Sequence, residues 1–306
     1  MKKTSGRNRT ARLLGAGLLG AAAAGLAYYS TAVEPYAWRL RRIDVPVLGP
    51  DSEPFRVLHV SDLHMLSRQN RKQEWLRGLA ALDPDLVALT GDNVAAEDAV
   101  SSVLEGLSPL RERPGAFVLG NSDYYGPTPK VPWNYTSWGK SDRLGEIMPT
   151  AQLSAALKSL GWHELTNQRV TIDAGGRRVE LSGVDDASLG HDDYDSVAGN
   201  VDASAQLHIG LTHTPDSGLV SRFAADGFGL VLAGHTHGGQ VRLPGYGAIV
   251  TNCDLDRRQA CGLHNWGKGT FLHVSAGIGT SPYLPVRFGC PPEATMLTLV
   301  PNPQLR

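Results

Sequence analysis

The sequence predicts an α/β domain, and three observations carry that reading. Short apolar strands alternate with helix-like apolar spacing in the first half. A hairpin signal and further short strands follow in the second half. The composition, 42% hydrophobic and 19% charged over 306 residues, suits a globular fold with a substantial core. In chain order, residues 34–54 read as a linker that begins to pair as a strand around Ile43–Val47. Phe55–Val60, Leu86–Thr90 and Ala116–Leu119 are strand-like, with helical spacing at Arg71–Leu82 and Glu97–Leu110. Arg169–Asp173 and Arg178–Ser182 flank Ala174-Gly175-Gly176, a hairpin signal. Leu207–Leu211 and Leu230–Leu232 are short apolar strands that each run into a histidine motif, and Phe271–Ser275 and Thr295–Val300 close the pattern. Residues 127–149 are rich in Pro, Trp and Tyr without a clear period, and read as a long surface loop. The division expected is a segment 1–33, a linker 34–54 and a main domain 55–306.

Charge is unevenly placed. Residues 1–42 hold eight basic residues against Glu34, a net of +7; the whole chain carries −1, which leaves −8 on the remainder. An acidic main domain excludes nonspecific nucleic-acid binding as an expectation, because that needs a basic surface. The basic N-terminus suits an anionic membrane face. Cys253, Cys261 and Cys290 form no CxxC pair and so no zinc-finger or disulfide framework; Cys253 and Cys261 are near enough in sequence to bridge in an exported domain, and three ordinary thiols fit equally.

Leu13 to Val33 is uncharged over 21 residues. As a helix it would span about 31 Å, the apolar thickness of a bilayer. Two readings fit: a permanent anchor, or a signal peptide cleaved near Ser30-Thr31-Ala32. The length of the run favours the anchor. Five basic residues precede it and three follow closely, which places the N-terminus in the cytoplasm and the main domain outside, on a single-pass protein of the cell membrane. No adjacent arginine pair precedes the run to support twin-arginine export.

Five short motifs stand at the ends of predicted strands: Asp62-Leu63-His64, Gly91-Asp92-Asn93, Gly120-Asn121-Ser122-Asp123, Leu211-Thr212-His213 and Gly234-His235-Thr236-His237. Loops beyond the strand ends of an α/β sheet converge on one site. Carboxylates and neutral imidazoles suit Mn, Fe, Zn and related divalent ions. Two such ions ~3.5–4 Å apart can clamp both oxygens of an in-line phosphoryl displacement and supply hydroxide near neutral pH. His59, His163, His208, His264 and His273 lie outside the motifs and read as structural or solvated.

The ordered set resembles the calcineurin-like metallophosphoesterase superfamily over about residues 55–300, with the small bacterial membrane-associated phosphohydrolases as the most similar subgroup. Leu211-Thr212-His213-Thr214-Pro215-Asp216, Gly234-His235-Thr236-His237-Gly238-Gly239-Gln240 and Gly277-Ile278-Gly279-Thr280-Ser281 carry the likeness. The resemblance implies a four-layer αββα sandwich of two mixed sheets. It also implies two divalent metal ions. Asp62, His64 and His237 would hold one, Asn121, His213 and His235 the other, and Asp92 would bridge them. The implied reaction is hydrolysis of a phosphodiester or diphosphate by in-line attack of a metal-bound hydroxide.

One position departs from the family pattern, which has His after Gly-Asn where this chain has Ser122. That His is assigned to contact phosphate and help protonate the leaving group, whereas a serine hydroxyl is too weak an acid for that at neutral pH. Three outcomes follow: leaving groups that need no proton, a substitute such as Asp123 or His191, or a site that binds metal and catalyses poorly. Asn121, Ser122 and Asp123 are therefore the candidate catalytic segment. For Asp123 the alternative is a capping or supporting role; for His191, a plain loop residue beside Asp192 and Asp193 is the favoured reading. Trp133, Tyr135 and Trp138 in the long loop fit a substrate lid, a lipid-facing surface or a packed loop. Arg287 lies in a stretch similar to the family's C-terminal segment, and the resemblance implies that it could approach phosphate. With a tether beside the site, the expected substrate is a phosphoester, including lipid-linked ones. The competing readings are a broad phosphodiesterase for soluble esters and a catalytically weak metal-binding membrane protein.

Overall fold

The computed structural model describes residues 4–128, 144–267 and 269–302. The chain opens with helix α1 (Thr4–Tyr28), which continues through a π turn at Tyr29–Val33 and a 3₁₀ turn at Glu34–Tyr36. Strands β1 (Arg39–Leu48) and β2 (Phe55–Val60) follow, then α2 (Asn70–Gly78), β3 (Leu86–Thr90), α3 (Val100–Leu107), β4 (Gly115–Val118), the single turn α4 (Asn121–Tyr124), α5 (Thr150–Lys158) and β5 (His163–Glu164). The second half holds β6 (Gln168–Ala174), β7 (Arg177–Gly183), β8 (Leu207–Leu211), α6 (Ser217–Asp226), β9 (Leu230–Ala233), β10 (Arg242–Leu243), β11 (Gly247–Ala248), β12 (Gly262–Gly267), β13 (Thr270–Val274) and β14 (Glu293–Pro301).

Two six-stranded mixed sheets result. The first runs β1-β14-β2-β3-β4-β5 and is parallel except between β14 and β2; the second runs β12-β13-β9-β8-β7-β6, antiparallel only at its two outer pairs. Strand alternation sorts side chains to the two faces of each sheet. Val57, Leu86, Ala88 and Val118 meet Leu181, Ile209, Leu211 and Leu232 between the sheets. On the outer face of the first sheet, Leu58, Val60 and Leu89 pack on Leu76, Val103 and Leu153 of α2, α3 and α5. On the outer face of the second, Val231, Leu272 and Val274 pack on Leu219, Val220 and Phe223 of α6. This is the expected four-layer αββα sandwich. Strands buried on both faces appear in sequence as continuous apolar runs, which is why β2, β3, β8 and β9 were legible.

The stretch read as a linker contains a ten-residue strand. β1 pairs in parallel with β14 from Arg39 opposite Glu293 to Pro46 opposite Val300. Its sequence RLRRIDVPVL mixes charge and proline, which an edge strand tolerates, so only its partner fixes it. Helices α5 and α6 and strand β12 carried no reading. For α6 the signals were local: the Asp216 side chain accepts from Leu219 N at 2.9 Å, and Gly227 ends the helix at φ 104°. Cys253, Cys261 and Cys290 are free thiols, so the considered bridge is not formed.

Residues 15–36 are long and apolar enough to cross a membrane, and the most apolar window, of mean hydropathy 1.3, is not covered by the rest of the chain. The end of this segment is fastened to the domain. Arg287 N–H donates to Ser30 O at 2.8 Å. The buried Glu34 carboxylate accepts from Gly289 N at 3.1 Å and Cys290 N at 2.6 Å, and Trp38 Nε1 donates to Ile278 O at 3.1 Å.

Candidate metal centre

Every expected donor sits just past a strand end. Asp62 and His64 follow β2, Asp92 follows β3, Asn121 follows β4, His213 follows β8, and His235 and His237 follow β9. Because these strands are parallel within their sheets, their C-terminal loops open on the same side. The loops also tie to one another: Asp62 N donates to Gly91 O, and His64 N to Asp92 O, both at 2.9 Å, and Gly234 N donates to His213 O at 3.0 Å. Five donors adopt positive φ: Asp62 at 50°, His64 at 38°, Asp92 at 55°, His235 at 68° and His237 at 50°. Non-glycine residues held there are strained, and such strain concentrates at functional sites. Gly120 is sterically required, since a Cβ there would lie 2.5 Å from Asp92 Oδ1 and 2.7 Å from His213 Cε1.

The donors converge. Ligand atoms of Asp62, His64, Asp92 and His237, all buried, lie within 4.8 Å of one another. Asp92 stands between two groups: Oδ2 is 3.3 Å from His64 Nε2, and Oδ1 is 3.5 Å from His213 Nε2. His235 Nδ1 is 3.3 Å from His213 Nε2, and His237 Nε2 is 3.7 Å from Asp62 Oδ1. Asn121 is half-buried at the start of α4, and its side chain has no hydrogen-bond partner among the described residues.

Backbone carbonyls aim the imidazoles. A carbonyl only accepts, so the facing ring nitrogen carries the proton and leaves the other with a lone pair. His213 Nδ1 donates to Thr90 O at 2.7 Å, His237 Nδ1 to Gly279 O at 3.2 Å and His235 Nε2 to Asn252 O at 3.1 Å. His64 Nδ1 is enclosed without a partner among the described residues, and its Nε2 lies 3.1 Å from His237 Nε2. Lone pairs and carboxylate oxygens crowded this closely repel one another unless a cation lies among them, so the donor set fits divalent ions.

The electrostatics agree for Asp92, His235 and His237. Burial pushes the Asp92 carboxyl up, but His213 and His64 outweigh it and hold the group well below the carboxylate range. Burial raises Asp62, with Asp92 adding to the rise. Burial lowers His235 and His237, reinforced by His213 and His64 respectively, so both favour the neutral imidazole that binds metal. His213 is raised well above its ordinary value, because Asp92 more than offsets burial.

The candidate catalytic segment divides by role. Ser122 N donates to Asp92 Oδ1 at 2.7 Å and Ser122 Oγ to Asp92 Oδ2 at 3.1 Å. Asp123 is wholly buried and accepts from Asn93 N, Asn93 Nδ2, Val94 N and Gly120 N at 2.7–3.2 Å. That bonding joins the second and third loops. Burial and Asp92 raise its carboxyl to about 6. His191 packs edge-on against Tyr124 at 5.2 Å between ring centres, with Nδ1 3.9 Å from Asp185. Arg287 corrects its expectation. It is fully buried, and its guanidinium donates to the carbonyls of Ala276, Gly277, Gly279 and Cys290 at 2.7–3.2 Å, facing inward rather than toward a phosphate. Trp133, Tyr135 and Trp138 lie outside the described residues.

Two supporting groups carried no sequence reading. Ser61 Oγ donates to Asp62 Oδ2 at 2.7 Å. Buried Lys72 Nζ donates to Leu63 O at 2.8 Å, and burial lowers its pKa to about 7. Lys72 falls in a helical pattern, where a lysine ordinarily reads as solvated surface.

Comparison with known proteins agrees with this geometry. Residues 55–239 match the pattern of the calcineurin-like phosphoesterase family. The chain is 28% identical to the metallophosphoesterase YkuE of Bacillus subtilis (strain 168), over 98% of this chain and 99% of that protein. It is 30% identical to the phosphodiesterase YaeI of Escherichia coli (strain K12), over 87% and 90%. It is 29% identical to a bovine transmembrane protein with a metallophosphoesterase domain, over 85% and 57%. The chain belongs to the calcineurin-like phosphoesterase family and is a metal-dependent phosphoesterase.

Proposed function

We propose that the chain hydrolyses phosphodiester or diphosphate bonds with two divalent cations, one held by Asp62, His64 and His237 and the other by Asn121, His213 and His235, with Asp92 shared. The observation that carries this reading is Asp92, whose two oxygens face the two donor groups at 3.3 and 3.5 Å. When bound, Mn, Fe or Zn ions would supply Lewis acidity, activating water for in-line attack and offsetting phosphoryl charge. The chain's own residues orient the site: Ser122 fixes both oxygens of Asp92, and Asp123 locks the loops that carry Asp92 and Asn121. With the Ser122 hydroxyl engaged and weakly acidic, leaving groups that need no proton suit the site, a phosphate of a diphosphate above all. The test is turnover of a chromogenic phosphodiester by the purified chain with Mn, with Asp92→Asn as control. Ser122→His is expected to speed esters with poor leaving groups selectively. An equal effect on all leaving groups would count against this reading.

A second reading rests on the same serine: a membrane protein that binds metal and catalyses weakly. Stoichiometric metal uptake without turnover would establish it. The apolar helix at 15–36 supports a single-pass anchor, with the basic N-terminus in the cytoplasm and the domain on the other face of the cell membrane. Tethering favours lipid-linked phosphoesters as substrates. Equal turnover of soluble and membrane-presented forms of one ester would remove that basis.

A further inference from the structure

Where the anchor helix meets the domain, a groove of about 680 Å³ opens, lined by Arg39, Arg242, Arg258, Tyr29, Glu34 and Phe288 among others. Tyr29 and Glu34 belong to the end of the membrane segment itself, so a bilayer that holds the helix comes up to the rim of the groove. Arg39 and Arg258 are exposed and have no ion-pair partner among the described residues. Arg242 Nη1 donates to Gly238 O at 3.0 Å, which leaves its charge uncancelled. Glu34 is the acidic residue of the lining, and both of its oxygens are taken by the backbone N–H groups of Gly289 and Cys290. The groove therefore presents three guanidinium groups against one internally bonded carboxylate.

Its surroundings are those of a lipid interface. The hairpin β10–β11 exposes Leu243, Tyr246 and Ile249, and the helix end exposes Tyr28, Tyr29 and Tyr36. Tyrosines with one apolar face and one polar edge settle at the headgroup level. Arginine forks bind phosphate oxygens in pairs.

We infer that this groove binds the phosphate of an anionic phospholipid headgroup, apart from the metal centre, and so holds the domain against the membrane face. This rests on the reading of residues 15–36 as an anchor.

The test uses the full chain in detergent, titrated with short-chain phosphatidylglycerol, short-chain phosphatidylcholine or inorganic phosphate and followed by native mass spectrometry, with the lipid recovered intact. Selective phosphatidylglycerol binding is expected. Arg39→Gln with Arg258→Gln should weaken it by about tenfold or more, since each basic group near an anionic surface contributes appreciably. Arg56→Gln with Arg77→Gln removes the same charge elsewhere and should leave binding unchanged. An unchanged thermal midpoint shows that the groove variant is folded. Equal binding of phosphatidylcholine, equal binding of free phosphate, or full retention in the groove variant each overturns the proposal. Alkaline carbonate washing of membranes separates the two readings. Release of the wild-type chain overturns the anchor and the bilayer source of the ligand with it. Retention together with unselective lipid binding overturns the groove alone.

Discussion

The loops of the first sheet bring both carboxylates to the centre, Asp62 and Asp92, along with His64 and Asn121, whereas those of the second sheet bring only imidazoles, His213, His235 and His237. In the proposed centre the first half would supply the carboxylates, and the second would supply imidazole nitrogens alone. Neither half is complete, and each depends on the other for its aim. His213 is oriented by the carbonyl of Thr90, 123 residues earlier, and the carboxylate of Asp62 accepts from His235 N at 3.0 Å. A metal site split in this way forms only after the two sheets have stacked.

Removing the shared carboxylate should break the comparison most severely. Groups that merely support metal ligands cost about 10–100-fold when lost, so Asp92→Asn should exceed about 100-fold in turnover. It should also lower metal content on both sides, read by metal analysis of the purified protein. His213→Asn should instead lower the content of one metal while sparing the other; equal loss of both ions would show that the halves do not hold separate sites. Ser61→Ala, which removes the hydroxyl donating to Asp62 Oδ2, should weaken metal affinity by about tenfold, measurable by competition with a chelator.

A separate effect concerns cohesion between the halves. His59 on β2 and His273 on β13 join the two sheets through a buried Nδ1–Nδ1 contact of 2.8 Å, and His59 Nε2 lies 2.8 Å from Thr90 Oγ1. Burial pushes His59 down to about 3 from an ordinary value of 6.5. Between those values the unfolded chain takes up a proton that the folded chain refuses, so stability falls as pH drops through this window. The loss is at most about 1.4 kcal/mol per pH unit from His59. His273 is likewise pushed down by burial, with His59 adding to it. Thermal unfolding between pH 7 and 4 checks this. His59→Gln should start less stable and show a shallower slope; an unchanged slope would remove His59 as the source.

Much of this architecture is legible in the amino-acid sequence. β2, β3 and β8 fall at the expected residues, because strands buried on both faces leave unbroken apolar runs. β1 was legible only as a fragment, since an edge strand with four charges and a proline shows no such run. The acid–imidazole motifs were legible because short loops after strands are local features. The carbonyls that aim the rings were not, since every residue has one and sequence does not mark which will be used.

Arg287 shows the limit most clearly. Its neighbours in sequence suggested a phosphate contact, and the fold instead turns it inward onto four carbonyls behind the centre. The amino-acid sequence alone determined which side chains stand at the strand ends and the family they mark. Tertiary structure decided which nitrogen of His213, His235 and His237 is free, that Asp92 faces both donor groups, and that the end of the apolar N-terminal segment is bound to the domain through Glu34. Strand and turn preferences act over a few residues, whereas the direction of a side chain is set by whatever partner the fold brings from far along the chain.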